Sequence, residues 1–242
     1  MQIFRRRVKG APRIIVVGNL KGGTGKSTIA VNTACALADE GHKTVIIDTD
    51  PQKSSTLWSN GGLLPAAVAE FPLRDLNAAG EWIEELDILR TRYTRLIIDL
   101  PAVVSPVLAS AFLVADVILI PSSTSEVDVQ ATKRTLRYVG QTRRERASAP
   151  PKVLIVPSQV QKGWFNDGGV REQLEGFAEE IAKPIRYDKT FGRAFQARRW
   201  IGEFASGSSG HRDILALARQ VEASLKQSSQ PAPQIHHVRA PA

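Results

Sequence analysis

Asn19-Leu20-Lys21-Gly22-Gly23-Thr24-Gly25-Lys26-Ser27-Thr28 follows the apolar run Ile14-Ile15-Val16-Val17 and leads into a stretch of helical character. A strand that ends in a glycine-rich turn and opens a helix with Lys-Ser-Thr is a phosphate cradle. The glycines let backbone N–H groups turn inward around a polyphosphate, and the helix N-terminus adds partial positive charge. Lys26 is expected at the β- and γ-phosphates, and the Ser27 hydroxyl on Mg²⁺. Gly22, Gly23, Thr24, Gly25 and Thr28 complete the nucleotide-binding turn. The chemistry implied is that of a nucleoside triphosphate.

The usual spacing of such a loop puts its first glycine at position 20, which here is Leu20. A second lysine, Lys21, stands beside it on the outer limb of the turn. Its stem is expected to point away from the loop's own nucleotide, toward one held by a second subunit. A solvated surface lysine is the plainer alternative.

Working outward, short β-branched runs without polar alternation occur at 13–17, 44–48, 95–99, 116–120 and 152–156. Strands buried on both faces read this way. Helical stretches are expected between them at 26–40, 103–114, 127–146 and 170–183. Alternating strand and helix gives an α/β fold, a mostly parallel twisted sheet with helices on both faces. Ligand then sits beyond the C-terminal ends of the strands. Residues 187–226 read as mainly helical, with a break at 206–210. Residues 61–80 carry no assignable pattern.

Two acidic boxes stand at strand ends. Asp99 closes the apolar run Ile97-Ile98 and is costly to bury without a cation nearby, which makes it a candidate for holding Mg²⁺ through water. A loop or helix cap is the alternative role. Asp48 and Asp50 flank Thr49, and strand alternation would put the two carboxylates on one side. Asp50-Pro51-Gln52 also suits a plain turn.

Lys21-Gly-Gly-Thr-Gly-Lys26-Ser-Thr resembles the deviant Walker A box of the ParA/MinD ATPases, within the P-loop NTPases. Asp48-Thr-Asp50-Pro51-Gln52 resembles the acidic segment that follows it in ParA-type members, and Ile97-Ile98-Asp99-Leu-Pro101 their Walker B strand. The resemblance covers residues 13–225. It implies catalytic roles for Lys21, Lys26 and Asp50, with Asp50 positioning the attacking water and Asp48 standing near the Mg²⁺ shell. It also implies ATP as the nucleotide. Related proteins often read adenine with an asparagine after the strand matching 152–156. Here the stretch is Val156-Pro157-Ser158-Gln159, which leaves Ser158, Gln159 or backbone groups for that task.

The 242 residues fit a single domain at 13–226, preceded by a basic extension (1–12) and followed by a tail (227–242) rich in Ser, Gln, Pro and Ala that reads as disordered. The lone Cys35 excludes a disulfide framework and a Cys₄ metal site, and argues against cluster-bearing reductases with this type of loop. The apolar runs are shorter than the roughly 20 residues a membrane span needs. A cytoplasmic, nucleoid-associated protein is expected, with no membrane partner. Net charge is +8 and unevenly spread: residues 133–152 carry seven basic groups against Glu145, and 186–226 carry eight against four acids. Such clustering suits a polyanion, and equally a solvated basic surface.

The leading expectation is therefore a ParA-like ATPase that forms an ATP-dependent homodimer and binds DNA non-specifically. A ParB-like or other cargo adaptor would stimulate its hydrolysis. Arg193, Arg198 and Arg199 are the expected phosphate contacts, although some may cap the core edge. The alternatives are a MinD-like membrane-positioning ATPase, a non-hydrolysing nucleotide switch and a P-loop tyrosine kinase. The proline-bearing tail lacks the amphipathic helix that the first needs. Intact Lys26, Ser27, Asp50 and Asp99 weigh against the second, and the lack of a tyrosine-rich tail against the third.

Overall fold

The computed structural model describes residues 12–61, 64–71, 79–123, 125–146, 149–161, 172 and 174–228. The expected tail from 229 and the basic extension before 12 lie outside them.

Seven strands form one all-parallel sheet: β1 (Arg13–Val17), β2 (Thr44–Asp48), β3 (Ala67–Glu70), β4 (Arg95–Asp99), β5 (Val117–Ser122), β6 (Lys152–Pro157) and β7 (Glu180–Ile181). Their spatial order is β3-β2-β4-β1-β5-β6-β7. The helices are α1 (Lys26–Asp39), α2 (Ser54–Ser59), α3 (Ala79–Arg90), α4 (Pro106–Val114), α5 (Glu126–Glu145), α6 (Thr190–Gln196), α7 (Ile201–Phe204) and α8 (Ser209–Gln227).

The two-residue period of each strand splits its side chains between two cores. Ile15, Val17, Ile46, Ile97 and Leu119 pack under α1 and α8. Ile14, Val16, Ile47, Ile98 and Ile120 pack under α3 and α4. Both sets are essentially inaccessible to water, and each buried aliphatic side chain contributes about 1.5–3 kcal/mol. This two-sided burial is why the strands read as unbroken apolar runs.

Register brings the motifs together. Val17 pairs with Asp99, and Asp48 also pairs with Asp99. The C-terminal ends of β1, β2 and β4 therefore meet, at the point where β1 has β4 on one side and β5 on the other.

Several expectations need correction. The helix expected over 170–183 does not reach its end, because Glu180–Ile181 form β7, pairing with Leu154 and Ile155 of β6. There the Ala182 N–H donates to the Ile155 carbonyl at 2.8 Å, so the open edge of β6 takes the segment. The helix expected from 103 begins at Pro106. Pro fits the first helical turn, and the Ser105 hydroxyl caps it by accepting from the Leu108 N–H at 3.2 Å. The span 61–80 contains β3 and the start of α3, whose Trp82 is fully buried.

Candidate nucleotide site

The loop after β1 turns through Gly23 and Gly25 at φ 77° and 85°, a region that side chains disfavour. Gly25 stands at the start of α1, so the first N–H groups of that helix open onto the loop. A cleft of about 750 Å³ lies against it, lined by Gly22, Gly23, Gly25, Lys26, Ser27 and Thr28 on one side. Asp50, Pro101 and Val103 form its floor, and Trp58, Phe191 and Phe195 a further wall.

Lys26 is buried, and its ammonium donates to the Lys21 carbonyl at 3.1 Å, closing the loop on itself. Burial lowers its pKa, opposed by Asp99 and Asp50. The Lys21 side chain is not part of the cleft wall. Its ammonium donates to the neighbouring Gly22 carbonyl at 3.2 Å. Thr24 is buried beneath the loop, with its hydroxyl toward the Lys21 carbonyl.

Asp99 is fully buried at the end of β4. The Ser55 hydroxyl donates to Oδ2 at 2.7 Å, while Oδ1 has no hydrogen-bond partner among the described residues. Desolvation pushes the carboxyl up to about 7 against the Ser55 hydrogen bond and the nearby Ser27 hydroxyl, with Asp48 raising it further and Lys26 lowering it. An orphaned buried carboxylate oxygen beside the Ser27 hydroxyl and a phosphate loop is the donor set that Mg²⁺ takes when phosphate and water supply its other ligands. Ser27 and Asp99 fit that ion.

Asp48 and Asp50 do not share a side. β2 ends at Asp48, and with it the alternation that would align them. Asp48 is 1% exposed and both its oxygens are engaged. Oδ2 accepts from the Thr56 N–H at 2.8 Å and the Thr56 hydroxyl at 3.0 Å, and Oδ1 accepts from the Asp50 N–H. It anchors α2 next to Asp99 and does not line the cleft. Desolvation raises its pKa despite these bonds. Asp50 lines the cleft, and its Oδ1 also accepts from the Gln52 N–H at 2.9 Å. The Gln52 N–H bond makes Asp-Pro-Gln a turn, and the same Asp50 side chain lines the cleft.

Ser158 does not read a base from the cleft wall. It is 1% exposed and its hydroxyl donates to the Thr24 carbonyl at 2.8 Å, bracing the loop from beneath. Gln159 does line the cleft, with Nε2 donating to the Gly23 carbonyl.

The three expected DNA residues separate. Arg193 and Arg199 are exposed, with Arg199 in a long 3.6 Å ion pair to Glu203. Arg198 is turned inward: its guanidinium lies 5.0 Å from the Phe195 ring centre and donates to the Leu57 carbonyl.

The α2 helix escaped the sequence reading. Its Ser55 and Thr56 hold the two buried carboxylates, and its Trp58 meets Phe195 edge-on at 5.3 Å. Six residues are too few to show a period, and only the Ser-Ser-Thr after Asp-Pro-Gln hinted at a cap.

Residues 15–199 match the CbiA family model, the CobQ/CobB/MinD/ParA nucleotide binding domain. "Protein ParA" of Rhizobium radiobacter is 26% identical over 212 residues, 87% of this chain and 93% of that protein. Among solved structures, the ATP complex of Cyanothece McdA(D38A) superposes with a TM-score of 0.70 at 19% identity, covering 90% of this chain and 98% of that one. The Aquifex aeolicus MinD cell division protein does so with 0.70 at 17% identity, covering 91% and 98%. These structural likenesses bear on the fold.

Proposed function

The chain belongs to the CobQ/CobB/MinD/ParA nucleotide-binding family, and from that premise we propose that it is a ParA-type ATPase that positions a cargo on DNA. The observation that carries this reading is that the phosphate loop and Asp50 line one cleft, with the buried Asp99 carboxyl close to the loop's Ser27 and Lys26 side chains. Bound ATP with Mg²⁺ supplies the reactive γ-phosphoryl group and neutralises its charge. The loop N–H groups and Lys26 bind the phosphates, and the Ser27 hydroxyl and Asp99 hold the cation. Asp50 accepts a hydrogen bond from the attacking water and orients it. Trp58, Phe191 and Phe195 shield that side of the cleft from solvent.

Lys21, directed outward, is assigned to the phosphates of a second copy, so that ATP joins two chains face to face. The pair binds DNA phosphates without base reading, with Arg193 and Arg199 as candidate contacts. A ParB-like or other adaptor on the cargo stimulates hydrolysis and releases the pair. Light scattering of the full chain with ATP and Mg²⁺ tests this. The parent is expected as a dimer and Lys21→Ala as a monomer that still binds ATP. A parent that stays monomeric, or a Lys21→Ala variant that pairs and turns over normally, overturns the role of Lys21.

A further inference from the structure

The basic residues of α5 fall into two sets. Arg143 grips Glu179 with both nitrogens and also reaches the Pro151 carbonyl, and Arg146 donates to the Ala115 carbonyl at 2.6 Å. These arginines fasten the end of the helix to its surroundings. Lys133, Arg134, Arg137 and Arg144 are all exposed, and among the described residues none of them is in an ion pair.

At 100° per residue these four lie within about a third of the helix circumference, and they span roughly 16 Å along the axis. Gln130 and Gln141, also exposed, fill the gaps between them. The carboxylates of this face, Glu126 and Glu145, stand at the two ends of α5.

The opposite, buried side of the same helix is bonded to the root of the phosphate loop. Asn19 Nδ2 donates to the Thr132 hydroxyl, and the Thr135 hydroxyl donates to Asn19 Oδ1, both at 3.2 Å. The Leu20 N–H donates to the Thr135 hydroxyl at 3.2 Å. The basic face is therefore fixed in orientation relative to the nucleotide cleft.

We propose that this face of α5 is a contact surface for duplex DNA, engaging phosphates through Lys133, Arg134, Arg137 and Arg144 and reading no bases. The inference rests on the DNA reading above and assigns it a surface other than Arg193 and Arg199. Charge complementarity selects the occupant. A row of unpaired cations on a rigid rod, separated by amides, matches an extended line of phosphates. A lipid surface would call for exposed apolar side chains among the cations, whereas the exposed positions among them, Gln130 and Gln141, carry amides and the neighbouring Tyr138 is half-buried. Fixing the row to the phosphate loop also means that two chains joined by ATP would present two such rows in one set geometry, which multiplies the affinity of either alone.

The test uses the full chain with ATP and Mg²⁺, two unrelated duplexes and a salt series. The double variant Arg137→Glu, Arg144→Glu is expected to weaken both duplexes equally, on the order of tenfold or more. The slope of log K against log salt should become shallower by about two, while calorimetric ATP affinity is unchanged. Parental binding that the variant retains in full overturns this surface alone. No duplex binding by the parent at any salt overturns the DNA reading and the surface with it. Loss of binding to anionic vesicles with duplex binding intact makes α5 a lipid surface and also overturns the inference.

Discussion

Asp116, just before β5, is 1% exposed and both its oxygens are bonded, to the Ile14 N–H at 2.8 Å and to Arg13 at 3.0 Å. Asp99, at the end of β4, is equally buried, yet one oxygen has no partner. The contrast extends along both edges of the sheet. At the N-terminal edge Arg95 grips Glu222 of α8 with two hydrogen bonds of 2.6 and 2.8 Å. At the C-terminal edge Lys26 is buried with its ammonium on a carbonyl of its own loop; it feels the charges of Asp99 and Asp50 but is in no ion pair among the described residues. Buried charge is costly unless paired. The sheet pairs its buried charge at one edge and leaves it less fully paired at the other, the edge where the proposed phosphate and cation would bind.

The comparison breaks most visibly if variants at the two edges fail alike. Asp50→Ala removes a carboxylate that lines the cleft and contributes nothing to core packing. It should leave ATP binding and the melting temperature close to the parent and slow hydrolysis by about 10²–10⁴-fold, the usual scale for a lost acid–base or water-orienting group. A steady-state phosphate-release assay checks this, and a parental rate would leave Asp50 as a turn residue only.

At the other edge Asp116→Ala removes the acceptor of the buried Ile14 N–H and the carboxylate that faces Arg13, whose side chain is 20% exposed. Leaving a buried donor without its partner costs about 1–3 kcal/mol. Urea denaturation should show that loss, and the protein that remains folded should bind ATP with parental affinity. A loss of ATP affinity matching the loss of stability would dissolve the distinction between the edges.

The same division explains what was legible in the sequence. β1, β2 and β4 stood out with their observed limits because burial on both faces leaves an apolar run that needs no context. β3, β7 and α2 span four, two and six residues, too short to carry a period, and their stability comes from neighbours supplied by the fold. In the site, the phosphate loop was legible because its geometry is local to ten residues. The wall of Trp58, Phe191 and Phe195 was not, since it forms only when α2 meets α6 across the cleft. Ser158 is a related case: the sequence shows a hydroxyl near the site but not that it donates to the Thr24 carbonyl. Asp48 likewise went to α2, a helix the sequence had not shown.

Titration sharpens the comparison, because the two edges should respond to pH with opposite sign. Desolvation lifts Asp99 from 3.8 to about 7 in the ligand-free protein. The folded state then holds a proton that the unfolded chain has already released, so this group's contribution is intact below about 4 and is lost as pH rises through about 7. Asp99→Asn should flatten that decline in ligand-free thermal unfolding between pH 5 and pH 8, and should weaken Mg²⁺-dependent nucleotide binding. An unchanged pH profile would mean that the Asp99 charge is already balanced without ligand.

Glu222 carries the smallest expected effect and the reverse slope. Burial pushes its carboxyl up, but the Arg95 hydrogen bonds and charge, with His42 and Lys226, outweigh burial and hold the pKa below its ordinary 4.5. The unfolded chain therefore takes up the proton first on acidification. The contribution is present above 4.5 and fades as pH falls through the lower folded value. Because the pair lies near the surface, with side chains 15% and 13% exposed, its worth is about 1 kcal/mol. Glu222→Gln should cost that amount at pH 7 and less at an acidic pH below 4.5 where the protein stays folded, with hydrolysis at pH 7 unaffected. Chemical denaturation at the two pH values measures the difference. A penalty that persists undiminished in acid would show that Glu222 holds α8 by packing and not by charge.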